Sequence, residues 1–332
     1  MRKPVALRQK VLVGLLEMTK AFIFPGQGSQ AVGMGKALFD AFEPARAVFA
    51  EVDDALSQPL SKLMFEGPES GLTLTANAQP ALMAVSLAVI RTLEAECGLD
   101  LARDAAFVAG HSLGEYSALA SAGALTVSVT AQLLRIRGDA MQKAVPVGEG
   151  AMAALLGAEL DQARVIAEEA AAAAGGVCQV ANDNGGGQVV ISGAKAAVEK
   201  AIDIAKEKGI KRAVLLPVSA PFHCALMQPA ADAMRDALGG AMISAPRVPV
   251  VANVTAQPTQ DPETIRRLLV EQVTGAVRWR ECVAYMADCG VTGFIECGSG
   301  KVLAGLLKRI APQAAGISVG APADFDAYRA FA

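Results

Sequence analysis

The sequence has few histidines and few aromatic residues, and both shortages narrow the functions it can have. Only two of its 332 residues are histidines, and 5% are aromatic. Two histidines are too few for a histidine-rich metal site, and no cysteine and histidine spacing matches a zinc site, so we expect no bound metal. Few aromatics and a net charge of −3 disfavour nucleic acid as a partner, because nucleic acid is bound through basic surfaces and stacking platforms.

Long apolar runs and closely paired cysteines are also missing. No apolar run reaches the roughly 18 residues needed to span a bilayer, although 53% of the residues are hydrophobic and 19% are charged, a balance typical of a large buried core. The six cysteines form no C-x-x-C pair, and the N-terminal segment has no secretory cleavage pattern. Both observations favour reduced thiols in the cytoplasm, and we expect no membrane association. Residues 1–17 are interpreted as an N-terminal extension outside the fold, since Met18 directly precedes the first predicted strand.

The most informative motif is the pentapeptide G-H-S-L-G at 110–114. An apolar run precedes it and a helical pattern follows it, which is the context in which G-x-S-x-G forms a nucleophile elbow. Glycines allow the sharp turn. The first N–H groups of the following helix, starting with that of Leu113, can hold an oxyanion beside Ser112.

A serine nucleophile needs a base, and the sequence offers two histidines. His111 adjoins Ser112, so its ring is expected to point away from the hydroxyl group. His223 lies in a loop that two prolines make rigid, and a serine that precedes its histidine matches the order of α/β-hydrolase sites. We therefore predict that His223 is the base. Cys224 is a rival nucleophile, although a small packed residue is the simpler interpretation.

Apolar strand patterns alternate with helical patterns along most of the chain. Residues 18–147 and 217–332 predict a parallel sheet covered on both faces, as in an α/β-hydrolase-like catalytic domain. Between them, residues 148–216 follow the order β-α-β-β-α-β, which predicts an inserted ferredoxin-like domain. The active site would lie in the cleft between the two domains. The patterns also predict one helix from the first loop to about Phe49 and a last helix that ends at Ile310.

Two glycine-rich turns resemble nucleotide-binding motifs without completing them. Residues 26–31 fit G-x-G-x-x-A after a strand, but the next segment has a helical pattern where the motif requires a second strand with an acidic residue. Residues 298–301 resemble a fragment of a P-loop that lacks its first glycine and its serine or threonine. We therefore expect no bound cofactor.

Taken together, the motifs resemble those of the malonyl-CoA:acyl carrier protein transacylases of fatty acid synthesis and the related acyltransferase domains of polyketide synthases. The resemblance runs from about residue 20 to 310, and the chain length resembles that of the bacterial single-function enzymes. The matching segments are F-P-G-Q-G-S-Q at 24–30, G-H-S-L-G-E-Y at 110–116, R-G at 137–138, Q-V-V-I-S-G at 188–193, F-H-C-A-L-M at 222–227 and G-S-G-K-V-L at 298–303.

This resemblance implies a role for each matching site residue. Ser112 would carry the acyl group, and His223 would act first as base and then as acid. The backbone N–H groups of Gln27 and Leu113 would bind the oxyanion. The segment at Gln272 would supply the oxygen that orients His223, where a hydrolase would use an aspartate.

The resemblance also implies how the acyl group would be chosen. Arg137 would bind the free carboxylate of a malonyl group, because a guanidinium pairs with a carboxylate through two hydrogen bonds. Without the resemblance, an arginine late in a helix is better explained as part of a solvated face or as favourable at the helix C-terminus. Phe222 would add bulk beside the C2 position of the acyl group, with ordinary packing as the alternative.

The implied reaction is a ping-pong transfer from malonyl-CoA to the phosphopantetheine thiol of holo acyl carrier protein, which supplies fatty acid elongation. We expect a cytoplasmic monomer, with a basic patch at Lys211-Arg212 or Lys308-Arg309 that binds the acidic carrier. Three alternatives stay open: a serine thioesterase or esterase with the same elbow, a polyketide acyltransferase, and a non-enzymatic carrier-binding subunit, which the presence of both Ser112 and His223 disfavours.

Overall fold

The structure is a computed structural model, and it describes residues 19–218 and 220–331. The predicted extension at 1–17 lies outside the described residues. Of the helices in the described part of the chain, none combines the length and the apolar character that crossing a membrane would require.

Helices and strands alternate through the described residues. The strands are β1 (Lys20–Phe24), β2 (Phe107–Gly110), β3 (Gly150–Leu156), β4 (Cys178–Asp183), β5 (Gln188–Ala194), β6 (Arg212–Leu215), β7 (Val250–Val251), β8 (Pro258–Thr259), β9 (Gly293–Cys297) and β10 (Ala315–Val319). The helices are α1 (Lys36–Ala41), α2 (Glu43–Leu56), α3 (Leu60–Glu66), α4 (Glu69–Leu72), α5 (Thr75–Cys97), α6 (Leu101–Asp104), α7 (Gly114–Ser121), α8 (Val127–Ala144), α9 (Leu160–Ala174), α10 (Lys195–Glu207), α11 (Gln228–Gly240), α12 (Pro262–Thr274), α13 (Trp279–Asp288), α14 (Val302–Ile310) and α15 (Phe325–Phe331).

Six of the strands form one mainly parallel sheet. Their order is β10-β9-β1-β2-β7-β8, and every pair is parallel except β7 with the edge strand β8. Strands β2 and β9 are buried along their whole length, and β1 at all but its first residue. Continuous burial is expected for parallel strands that helices cover on both faces. The prediction of a mixed α/β fold with a parallel sheet is confirmed.

The other four strands form a separate antiparallel sheet in the order β4-β5-β3-β6. Successive side chains of a strand point to opposite faces of the sheet, so alternate residues of these strands pack into two different apolar cores. Ala153 and Leu155 face the helices α9 and α10 in a local apolar cluster. Met152 and Ala154 face the other way and join the main core. Side-chain packing therefore joins the small sheet to the large one.

Two of the helix predictions were wrong in extent. The first predicted helix is divided at Phe42, whose backbone is extended (φ −128°, ψ 129°), and α2 then continues to Leu56. Pro44 lies in the first turn of α2, where a proline is favoured because its missing N–H would be unpaired there anyway. Helix α14 does end at Ile310, but it is not the last helix, because β10 and α15 follow it.

Candidate active site

Ser112 lies in a tight turn between β2 and α7. Its φ angle is 53°, in the left-handed region that residues other than glycine seldom occupy. The glycines on either side leave room for this turn. A Cβ atom on Gly110 would collide with the backbone of Gly114, and one on Gly114 would collide with the carbonyl group of Phe24 at the end of β1. The turn therefore presents the Ser112 side chain at the carboxyl edge of the parallel sheet.

His223 contacts Ser112 directly. Ser112 Oγ and His223 Nε2 are 2.7 Å apart, while Nδ1 lies 2.9 Å from the carbonyl oxygen of Gln272 and 3.1 Å from that of Gly275. Since carbonyl oxygens only accept hydrogen bonds, Nδ1 carries the proton and Nε2 can accept one from the serine hydroxyl. In the described residues, main-chain carbonyls thus occupy the place where a hydrolase has its aspartate.

Burial keeps this histidine neutral. His223 is only 3% exposed. Burial, followed by the positive charge of Arg137, lowers the pKa of His223 to about 3. A neutral ring at physiological pH is the form that a general base requires.

Gln27 lies in the loop after β1, and Leu113 follows Ser112 in the turn. Leu113 follows Ser112 with helical backbone angles (φ −55°, ψ −28°) at the start of α7. The Gln27 side chain accepts a hydrogen bond from Thr75 Oγ1 at 2.8 Å, which ties the loop after β1 to helix α5. The same loop lies against the turn, because a Cβ atom on Gly26 would be 2.8 Å from His111 O.

Arg137 extends from α8 to Ser112. Its guanidinium is buried, with 1% of the residue exposed. Nη2 donates to Ser112 Oγ at 3.1 Å and to Gln272 Oε1 at 2.9 Å, and Nη1 donates to Gln79 Oε1 at 2.7 Å. These three acceptors are uncharged, and Nε is buried without a hydrogen-bond partner in the described part of the chain. A cation buried in this way is costly unless a negative charge is paired with it, and an anionic ligand would supply that charge.

Close packing of two helices places Arg137 there. A Cβ atom on Gly138 would lie 2.6 Å from Ala76 Cα, so glycine lets α8 approach the start of α5. Gln79, one turn further along α5, then reaches the guanidinium. The aromatic ring of Tyr116 lies beneath it, 5.8 Å from the guanidinium carbon. The R-G pair at 137–138 therefore combines the cation with the space that its helix needs.

A buried polar network supports the Ser112 turn from below. Asn253 Oδ1 accepts from Ser112 N at 2.8 Å, and Asn253 Nδ2 donates to Gly110 O at 2.7 Å. Glu115 Oε2 accepts from Asn253 N at 3.0 Å and from Gln272 Nε2 at 2.7 Å. Burial raises the pKa of Glu115 to about 7. The sequence patterns do not predict the positions that Asn253 and Glu115 take in this network. Asn253 follows β7 at the carboxyl edge of the sheet, where site residues gather in parallel α/β folds, and this position was the available signal.

His111 engages the small sheet instead of the serine hydroxyl. Its Nε2 lies 2.9 Å from Asn184 Oδ1, in the turn between β4 and β5. Its ring centroid is 5.7 Å from that of Trp279. Through this contact the small sheet meets the Ser112 turn.

The structure brings four of the seven predicted site residues into one hydrogen-bonded group: Ser112, His223, Arg137 and Gln272. The other three make no hydrogen bond to this group in the described part of the chain. Leu113 follows Ser112 at the start of α7, and Gln27 lies in the loop after β1, bonded to Thr75. Phe222 is buried beside His223 and packs into the main core.

Comparison with known proteins identifies the family. Residues 21–321 match the family model described as acyl transferase domain. The chain is 45% identical over 302 residues to malonyl CoA-acyl carrier protein transacylase of Bacillus subtilis, and the match covers 91% of this chain and 93% of that protein. The solved acyl-carrier-protein-S-malonyltransferase from Bartonella henselae is 58% identical with a TM-score of 0.92, covering 95% of this chain and 99% of that one.

A third similar structure contains a partner. It is a type II PKS acyl-carrier protein in complex with its malonyl-transacylase, with 42% identity and a TM-score of 0.89, covering 93% of this chain and 98% of that chain. The resemblance inferred from the motifs is confirmed by these matches. Because the family model spans most of its length, the chain belongs to the acyl transferase domain family.

Proposed function

We propose that the protein transfers a malonyl group from malonyl-CoA to the phosphopantetheine thiol of holo acyl carrier protein, through a malonyl ester of Ser112. The observation that carries this proposal is the buried Arg137 guanidinium, 3.1 Å from Ser112 Oγ. In a malonyl thioester, one methylene group separates the free carboxylate from the carbonyl carbon that a serine would attack. Arg137 can therefore bind one end of the acyl group while Ser112 attacks the other.

The first half-reaction forms the acyl-enzyme. Ser112 Oγ attacks the thioester carbonyl carbon, and its proton passes to His223 Nε2. The backbone N–H groups of Leu113 and Gln27 hold the oxyanion, a contribution of about 3 kcal/mol per donor. The C–S bond then breaks, and the CoA sulfur takes the proton from His223.

The second half-reaction follows the same path in reverse. The phosphopantetheine thiol gives its proton to His223 and attacks the carbonyl carbon of malonyl-Ser112. The C–O bond breaks, and His223 returns the proton to Ser112 Oγ. Throughout, the carbonyl oxygens of Gln272 and Gly275 keep Nδ1 protonated, so the ring always exchanges its proton through Nε2.

The choice of malonyl over other acyl groups rests first on Arg137, because an acetyl group has no carboxylate to pair with the guanidinium. Phe222 contributes bulk beside C2 from its place next to the base.

We place the carrier on the side of the site where Lys308-Arg309 lies. Arg309 Nη1 donates to Gly186 O at 3.5 Å. Gly186 belongs to the same turn as Asn184, which contacts His111 beside Ser112. The basic pair on α14 is thus linked to the turn that borders the site. Lys211-Arg212, the other predicted candidate, leads into β6 at the edge of the small sheet.

We also propose an assignment of the two domains to known folds. Residues 18–147 and 217–332 form an α/β-hydrolase-like catalytic domain in which the Ser112 turn is the nucleophile elbow, and residues 148–216 form an inserted ferredoxin-like domain. The strand order β4-β5-β3-β6 with both helices on one face supports the second assignment. The enzyme is proposed to act as a cytoplasmic monomer that supplies fatty acid elongation; its six cysteines are free.

Intact-protein mass spectrometry tests the proposal. Mixed with malonyl-CoA alone, the protein is expected to gain one malonyl group that maps to Ser112. Holo carrier protein should remove this group, whereas apo carrier protein, which lacks the thiol, should not. Ser112→Ala should gain nothing. Release of free malonate without an adduct would favour the thioesterase alternative, and no adduct with no turnover would refute malonyl transfer.

A further inference from the structure

The Gln272 side chain holds Arg137 with an amide group whose orientation is itself fixed. Gln272 Oε1 accepts from Arg137 Nη2 at 2.9 Å. On its other side, Nε2 donates to Glu115 Oε2 at 2.7 Å, to Ser112 O at 3.0 Å and, more weakly, to Asn253 Oδ1 at 3.4 Å. If the amide turned over, its oxygen would face a carboxyl oxygen and a carbonyl oxygen, and its NH₂ group would face the guanidinium. The hydrogen-bond donors and acceptors therefore permit a single orientation.

Glu115 makes the shortest hydrogen bond on that side of the amide, 2.7 Å from Gln272 Nε2. It is 3% exposed, in the first turn of α7. Its Oε2 atom accepts two hydrogen bonds, from Gln272 Nε2 and from Asn253 N. Both donors are uncharged. The Glu115 carboxyl group is linked to the Arg137 guanidinium through the Gln272 amide, so two buried ionisable groups are joined by one neutral side chain.

We propose that Glu115 is a positioning residue, which acts through the Gln272 amide to hold Arg137 in the orientation that binds the substrate carboxylate. This inference rests on the proposed function, since it assigns Arg137 a carboxylate ligand. Glu115 itself hydrogen-bonds to neither Ser112 Oγ nor His223. The main-chain carbonyl of Gln272 orients His223 independently, so loss of the amide orientation should affect the carboxylate site and spare the base.

Three substitutions separate the parts of this arrangement. Glu115→Leu removes the acceptor nearest to Gln272 Nε2 at similar size and leaves the longer hydrogen bond to Ser112 O. Gln272→Leu removes the amide and leaves the main-chain carbonyl that faces His223. Glu115→Gln removes the charge but keeps an acceptor, and because both donors reach the single atom Oε2, one amide oxygen can accept both hydrogen bonds. It is the conservative variant that should rescue the function.

The readout is the ratio of second-order rate constants for acylation of Ser112 by malonyl-CoA and by acetyl-CoA, followed by rapid quenching and mass spectrometry. We expect this ratio to fall about tenfold in Glu115→Leu and in Gln272→Leu, equivalent to about 1.4 kcal/mol. It should stay near the wild-type value in Glu115→Gln. Acetyl transfer is the internal control, because general damage to the Ser112 turn slows both reactions and leaves the ratio unchanged.

The double variant Glu115→Leu/Gln272→Leu decides whether Glu115 acts through Gln272. The proposal predicts no further fall in the ratio beyond that of Gln272→Leu, because the link is already broken. An unchanged ratio in Glu115→Leu, or two losses that add in the double variant, would overturn the proposal. If Glu115→Leu does not fold, retention of the wild-type ratio in Gln272→Leu overturns it equally. Failure of the proposed function gives a different result from failure of the Glu115 proposal, because the wild-type protein itself would then form no malonyl adduct.

Discussion

The left-handed turn at Ser112 predicts an unusual order of stability for substitutions at that position. Ser112 has a φ angle of 53°, and Asn253 Oδ1 holds its N–H at 2.8 Å, so the turn cannot easily relax. This conformation costs a residue with a Cβ atom about 1–2 kcal/mol. Glycine avoids that cost but loses about 0.5–1 kcal/mol relative to alanine through its greater freedom in the unfolded chain. The difference leaves Ser112→Gly more stable than Ser112→Ala by about 1 kcal/mol.

Urea unfolding of the two variants measures this difference. Both lack the hydroxyl group, so the lost contacts with Arg137 and His223 cancel in the comparison, and neither variant can be acylated. Gln132, an exposed residue inside α8, provides the control, since glycine there should be less stable than alanine by about 1 kcal/mol. Opposite signs at the two positions are expected. If alanine at 112 were as stable as glycine or more stable, the turn would not be strained and the argument would fail.

Two further predictions concern buried groups that titrate. Burial raises the pKa of Glu115 from 4.5 to about 7. The contribution of Glu115 to the free energy of unfolding is therefore fully present below about pH 4.5 and is lost as the pH rises through about 7. Glu115→Gln should therefore gain about 2 to 3 kcal/mol relative to the wild type between about pH 5 and pH 8 in urea unfolding, and a difference independent of pH would contradict this. Burial and Arg137 lower the pKa of His223 to about 3. The rate of Ser112 acylation should therefore stay constant from about pH 8 to about pH 5. It is measured in Glu115→Gln, because that variant lacks the titrating carboxyl group of Glu115. A loss of half the rate near the ordinary histidine pKa of 6.5 would refute the neutral, buried base.

The elements that the sequence predicted are those whose pattern is local. β1 and β9 are short apolar runs in the centre of the sheet, and their complete or near-complete burial gives them a clear signal. β10 lacks that signal, because four of its five residues are partly or fully exposed. Its pairing with β9, residue by residue from Ala315 opposite Gly293, defines it as a strand. Such pairing is a tertiary contact, which a local pattern does not contain.

The same distinction applies to the site. Ser112 could be predicted because glycines, strand and helix lie within a few residues of it, and His223 because few histidines compete with it. The role of Arg137 could be predicted only from the family resemblance, because the sequence of its helix does not show that another helix packs against it. Asn253 and Glu115 were missed because their contacts join residues 141 and 157 positions apart, to Ser112 and Gln272 respectively. Each is an unremarkable polar residue until the chain folds.

The groups that hydrogen-bond to Arg137 are neutral, and so are the carbonyls that hold His223. An aspartate behind His223, or a glutamate at 272, would place a negative charge close to the guanidinium, and in a buried site that charge would both neutralise Arg137 and repel an incoming carboxylate. The amides of Gln79 and Gln272 hold the guanidinium without neutralising it, and main-chain carbonyls hold His223 in the same way. Glu115 is kept one amide away, with a pKa raised towards neutrality. The positive charge of Arg137 is therefore not neutralised by these groups, as the proposed binding of a malonyl carboxylate requires and as a hydrolase that attacks uncharged esters does not.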